Sequence, residues 1–338
     1  MPFSILSPTI HEQEKFTWRG YTRGDIPEIW ELFQVMNRVD DNDYYETVED
    51  LQNQYDDPRS QPLKDARIIR ALTGKLAAFA RIFTFPKPTA ENVAYLACDI
   101  APEARAQGLE HECLEWMEER AAERLAEIAQ ANEADDLPRV LRVDFPDTAT
   151  EMISSHQARG YQHTRSSYQM QRDLRDPIPD DALPLGLTLR AYDDELDEPL
   201  RHARNESFRD HWGSQQVSVE TWRANFTHVS DLRRDITLAV MDGTEVAAYI
   251  LCYDNTVDNE RRGIKRGWVG NLGTRRAYRK RGLASFLLAE AMRRFRADGF
   301  EYLGLDVDAE NLTGALALYE RLGFKAFKTR VVLEKAVG

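Results

Sequence analysis

Asn271-Leu272-Gly273-Thr274-Arg275-Arg276-Ala277-Tyr278-Arg279-Lys280-Arg281-Gly282-Leu283-Ala284 reads as the end of a β-strand that passes through a basic turn into a helix. The helix announces itself by Ala284, Leu288, Ala291 and Phe295, spaced by four, three and four, which form one apolar stripe. Such a turn is an anion site. Free N–H groups of the first helical turn point at a ligand, and the positive end of the helix dipole reinforces them. Gly282 and Ala284 keep side chains away, so a diphosphate can approach the main chain, while Arg279, Lys280 and Arg281 add positive charge. The spacing is neither that of a P-loop nor that of a dinucleotide-binding glycine motif.

Working outward, the second half of the chain reads as strand 187–192, helix 194–210, strand 235–241, a turn at Asp242-Gly243, strand 245–253, strand 264–274, helix 283–297, strand 302–307, helix 312–321 and strand 325–335. Gly299 and Gly323 stand where helices of this kind end. The first half repeats the pattern. Phe16–Tyr21 recurs at Leu187–Tyr192, Gly74 at Gly243, Arg105-Ala106-Gln107-Gly108-Leu109 at Arg279–Leu283, and Arg159-Gly160-Tyr161 at Leu322-Gly323-Phe324. The offsets are 171, 169, 174 and 163, in the same order along the chain, as a tandem duplication requires. Pro177, Pro179 and Pro184 with Asp176, Asp180 and Asp181 mark the joint. The expected domains are 16–173 and 187–338, with 174–186 as linker.

Composition agrees. The 338 residues, 42% of them apolar, suffice for two cores. Apolar runs fall far short of the roughly 20 residues that span a bilayer, and the N-terminus does not read as a signal peptide; the expected compartment is the cytoplasm. Cys98, Cys113 and Cys252 have no metal-site spacing and read as reduced thiols, so no metal is expected. A formal charge of -13 opposes phosphate-backbone binding and disfavours a nucleic-acid protein. The same charge favours a cationic small molecule.

Arg279-x-x-Gly282-x-Ala284 resembles the Gln/Arg-x-x-Gly-x-Gly/Ala signature of the GCN5-related N-acetyltransferases, the GNAT superfamily. Downstream, Leu303-Gly304-Leu305-Asp306-Val307-Asp308-Ala309-Glu310-Asn311 followed by Ala315-Leu316-Ala317-Leu318-Tyr319-Glu320-Arg321-Leu322-Gly323-Phe324 is similar to the second signature of that family. The resemblance covers about residues 187–335. It implies an α/β protein of two tandem GNAT-like domains, each a mixed, mostly antiparallel sheet flanked by helices. It implies acetyl-CoA as cosubstrate, held by Thr274, Arg279, Lys280, Arg281, Gly282, Leu283 and Ala284. Leu272 and Gly273, on a splayed strand, are expected to hold the thioester, and Asn311 to contact the pantetheine arm or cap the following helix. Tyr319 matches the general acid that protonates the leaving thiolate. A strand carboxylate, Asp306, is the candidate proton relay. Asp210-His211-Trp212-Gly213 follows the first helix of the repeat, where this family positions acceptors.

At the matching positions the first repeat carries Glu110 for Ala284, His156 for Tyr319 and Thr148 for Asn311. It reads as a degenerate domain that braces the active one, a layout similar to that of the mycothiol synthases. The glutamate those enzymes carry on the fourth strand has no counterpart in Arg266-Gly267-Trp268-Val269-Gly270-Asn271. The expected function is acetyl transfer to the amine of a small, cationic acceptor. The alternative is a noncatalytic acyl-CoA-binding sensor or scaffold in which Tyr319 only packs. Two such domains in one chain form an internal pseudo-dimer, so a monomer or a weak homodimer is expected.

Overall fold

Asp242 and Gly243 close a hairpin as their sequence dictates: Gly243 takes a φ of 59°, and Asp242 pairs with Glu245 across the turn. The computed structural model describes residues 15–337 apart from 43–45, 57–60, 86, 89, 135, 210, 212–213, 215 and 311–313. In the first repeat the strands are β1 (Phe16–Arg19), β2 (Ala66–Ala71), β3 (Leu76–Thr84), β4 (Asn92–Ile100), β5 (Arg139–Pro146) and β6 (Gln162–Asp173). In the second they are β7 (Thr188–Ala191), β8 (Leu238–Asp242), β9 (Glu245–Asp254), β10 (Arg266–Thr274), β11 (Tyr302–Asp308) and β12 (Lys325–Val337). The anticipated helices run Asp197–Ser207, Leu283–Ala297 and Ala315–Arg321. The first is preceded by a tight turn that the Asp193 carboxylate caps by accepting from the Glu195 N–H at 3.0 Å. The short helix Thr256–Arg262 was not legible; it ends in the charge cluster of Asp258 with Arg262 and Arg266.

The repeats do not close separately. All twelve strands of the described residues form one sheet, ordered β1-β2-β3-β4-β5-β12-β6-β11-β10-β9-β8-β7. β12 lies antiparallel to β5 from Arg330 opposite Pro146 to Val337 opposite Arg139. β6 lies antiparallel to β11 from Tyr302 opposite Asp173 to Asp308 opposite Ser167. Each repeat thus lends its last strand to the other. The cores follow: Leu333 of β12 is fully buried among first-repeat residues such as Leu141 and Val143. Met170 of β6 is buried among Leu303, Leu305 and Val307 of the second. Arg142 on β5 bonds Glu334 on β12 at 2.6 Å.

Residues 174–186 contain no helix or strand. They lie along Leu283–Ala297, where Arg293 donates to the Pro179 carbonyl at 2.8 Å and Ser285 to Asp181. No helix among the described residues is long and apolar enough to cross a membrane. Leu333→Ala is expected to cost about 2–5 kcal/mol. Hydrogen exchange should show the loss in β5 and the first-repeat helix Leu109–Asn132, although the mutation lies in the second repeat.

Candidate active site

The site is made by two strands that part. β10 and β11 run parallel from Arg266 opposite Tyr302 to Val269 opposite Leu305, and there the pairing stops. β10 continues to Thr274 and β11 to Asp308, so a gap opens between residues 270–274 and 306–308. On its other side β10 stays bonded to β9, with a bulge between Val269 and Asn271. Gly270 sits in that bulge because a Cβ there would meet the Tyr253 ring at 2.3 Å. In an antiparallel pair alternate residues turn both N–H and C=O away from the partner. Along Asn271, Leu272 and Gly273, main-chain groups therefore face the gap.

From the end of β10 the chain enters the turn expected from its sequence. Lys280 has a φ of 62° and Gly282 of 78°. No side chain caps the helix Leu283–Ala297 at Gly282, so its first N–H groups face outward at the end of the gap. The arginines divide by task. Arg275 is tied to Glu206 at 2.6 Å, and Arg279 reaches back to the carbonyls of Thr274 at 3.3 Å and Ser207 at 3.1 Å. Arg279 therefore shapes the turn. Lys280 and Arg281 are exposed and make no ion pair among the described residues.

Tyr319, on Ala315–Arg321, shares one buried cluster with Leu283, Leu305 and Val307, beside the start of the helix and on the helix-covered face of β11. Its ring centroid is 5.9 Å from that of Phe324, and its hydroxyl makes no hydrogen bond among the described residues. Burial pushes its pKa up to about 12, which keeps the phenol protonated. Asp306 stands elsewhere. It alternates with the buried Leu305 and Val307, so its carboxyl lies on the opposite face of the sheet, lining a cavity with Gln169 and Arg330. Asn311, Asp210, Trp212 and Gly213 lie outside the described residues, and the His211 ring is 4.7 Å from that of Phe208.

One polar pair escaped the sequence reading. Tyr249, fully buried on β9, donates its hydroxyl to Asn271 Oδ1 at the bulge, and burial raises the pKa of that phenol. The sequence reading names Asn271 as the first residue of the stretch that enters the turn, and does not single out Tyr249.

The first repeat keeps the frame and loses the fittings. β4 and β5 pair from Asn92 opposite Arg139 to Tyr95 opposite Arg142 and then part in the same way. Ala106 and Gly108 hold φ angles of 57° and 91°, and Arg105 reaches the Ile100 carbonyl at 3.2 Å, as Arg279 reaches that of Thr274. β4, however, pairs with β3 without a bulge. The Glu110 carboxylate does more than repel an anion: it accepts from the Ala106 N–H at 2.9 Å and occupies the turn itself.

Known proteins resemble this chain in sequence and in fold. The profile of the acetyltransferase (GNAT) family matches residues 198–324. A mycothiol acetyltransferase of Salinispora tropica is 34% identical over 174 residues, 51% of this chain and 55% of that one; this alignment spans about half of the relative. The mycothiol acetyltransferase of Salinispora arenicola is 29% identical over 79% of this chain and 80% of its own. In overall shape the chain is similar to the crystal structure of a GCN5-related N-acetyltransferase from Sphaerobacter thermophilus. That match has a TM-score of 0.70 at 22% identity over 96% of both chains. Gly270→Ala is expected to displace the Tyr253 ring, lower the melting temperature by a few degrees and weaken ligand binding at the gap, as overpacking a bulge costs about 1–3 kcal/mol; calorimetry of both events checks it.

Proposed function

We propose, from the match of residues 198–324 to the acetyltransferase (GNAT) family, that the second repeat transfers the acetyl group of acetyl-CoA to the amine of a small, cationic acceptor by direct attack. The juxtaposition of an uncapped helix start, a gap lined by unpaired main-chain groups and a buried phenol carries this reading. The residues fit the cosubstrate: the N–H groups after Gly282, with Lys280 and Arg281 beside them, suit a diphosphate. Arg279 acts by holding the turn. When bound, acetyl-CoA supplies a thioester whose carbonyl carbon takes the amine and whose sulfur leaves.

The main chain at Leu272 and Gly273 offers N–H donors to the oxygen that becomes negative in the tetrahedral intermediate. Tyr319 gives its proton to the departing sulfur and regains one from solvent. A phenol with a pKa of about 12 stays protonated and neutral through pH 10. Asp306, across the sheet from Tyr319, takes the proton that the attacking amine sheds. Acid and base then stand on opposite faces of the gap, so that one proton arrives from the Tyr319 side and one departs toward Asp306. The mycothiol acetyltransferase relatives support a small-molecule acceptor, and the formal charge of -13 favours a cationic one. The absence of a carboxylate from Arg266–Asn271 separates the base used here from the glutamate of the mycothiol synthases.

Tyr319→Phe is expected to lower kcat about 100-fold or more with coenzyme affinity unchanged. Equal kcat in the variant overturns the role. Between pH 6 and 10 no loss of rate should arise from Tyr319 in the wild type. Ala284→Glu transplants the carboxylate of the first repeat into the second and is expected to weaken acetyl-CoA binding about 100-fold. Calorimetric titration reads that loss directly, against one site per chain in the wild type.

A further inference from the structure

A cavity of about 570 Å³ penetrates the sheet of the first repeat where β4 and β5 part. Glu110, Leu114 and His156 line it from the helix face, and Asp144, Asp306 and Arg330 from the other. We propose that this cavity binds an amphipathic cation, an alkyl- or arylalkylammonium, and not an acyl-CoA.

Three observations lead there. First, the anion position is filled from within. The Glu110 carboxylate sits on the Ala106 N–H, in a turn with the φ pattern of the second repeat. A diphosphate entering there must displace a tethered negative charge and then lie beside it. Second, the lining is acidic. Among the described residues, Asp99, Asp144, Asp306 and Glu110 line it with Arg330 as the one cation of the lining. Arg330 is bonded to Asp144 at 2.9 Å and Asp99 is paired with Arg81 at 2.7 Å, so the excess negative charge lies at Glu110 and Asp306. Third, His156 is held as a hydrogen-bond acceptor. It is 5% exposed, with its ring between Phe145 and Tyr161 at 4.8 and 5.2 Å. Its Nδ1 donates to the Met152 carbonyl at 2.8 Å. Burial lowers its pKa and keeps the ring neutral. Nε2 is then an acceptor with no donor among the described residues, on a residue that lines the cavity. An ammonium or amine N–H meets that need, and its charge suits the surrounding carboxylates. Leu114 and Met117 provide the wall for an apolar body.

The probe is phenylbutylamine, with phenylbutyrate as the anion of the same shape, titrated into the full chain saturated with CoA so that the coenzyme site of the second repeat is occupied, the His156 signal telling binding in this cavity from binding at an acceptor site of the second repeat. The expected result is binding of the amine, a shift of the His156 Nε2 resonance in long-range proton–nitrogen spectra, and no binding of the acid. His156→Phe should weaken the amine about tenfold, whereas His156→Gln, which restores an acceptor, should recover most of that loss. Glu110→Ala should weaken the amine and admit a second equivalent of CoA. Equal or tighter binding of phenylbutyrate, amine affinity that survives both His156→Phe and Glu110→Ala, or no amine binding to millimolar concentration each overturns the proposal. Asp306 lines this cavity and is also the base proposed for the second repeat; the His156 and Glu110 variants leave Asp306 and Tyr319 in place, so acetyl transfer measured in them tells failure of one reading from failure of the other.

Discussion

Two parallel strands that pair for four residues and then part leave main-chain N–H and C=O groups unmet along both banks of the gap. Such groups need partners, and an opening of this kind persists only if each bank is held from behind. β10 is held by β9 and β4 by β3. The far banks, β11 and β5, are held by strands borrowed from the opposite repeat. The exchange of β6 and β12 is therefore the constraint on which both clefts depend. It also gives the first repeat a structural task beyond its own cleft: its last strand, β6, is the back wall of the cleft in the second.

Within that shared frame, small changes separate the two halves. One residue inserted at Gly270 re-aims the main chain at the end of β10, and its absence from β4 leaves a regular ladder. One carboxylate at Glu110 fills an anion turn that Ala284 leaves open. One ring exchanged, His156 for Tyr319, replaces a buried phenol by a buried imidazole. None of these alters the burial pattern that sustains the fold. Chemistry could drift while architecture stayed, since the apolar faces and the sheet register are set by other positions.

How far the sequence led can be followed residue by residue. The hairpin at Asp242-Gly243, the helix from Leu283 and the turn before it were legible because each rests on local chemistry: positive φ, apolar spacing, an uncapped first turn. The face of Asp306 was also legible, since Leu303, Leu305 and Val307 alternate with it, though the sequence reading did not use that alternation to separate it from Tyr319. The strand exchange was not. A duplicated sequence presents nearly the same pattern twice, so β12 satisfies β5 as well as a strand of the first repeat would, and local pattern cannot choose between equivalent partners. The Tyr249–Asn271 bond depends on a pairing shifted by the bulge, and Glu110 on a side chain folding back onto its own turn; neither leaves a periodic trace.

The exchange has a consequence for how the molecule comes into being. Of the strands in the sheet, the one synthesised last lies at its centre, and Arg142 waits for Glu334, 192 residues further on. The first repeat can collapse on the ribosome, but its β5 edge stays open until β12 arrives. During that interval a bare strand edge is exposed to other nascent chains. High contact order of this kind slows folding, so the chain's dependence on chaperones should follow the length of that wait more closely than the stability of the finished fold.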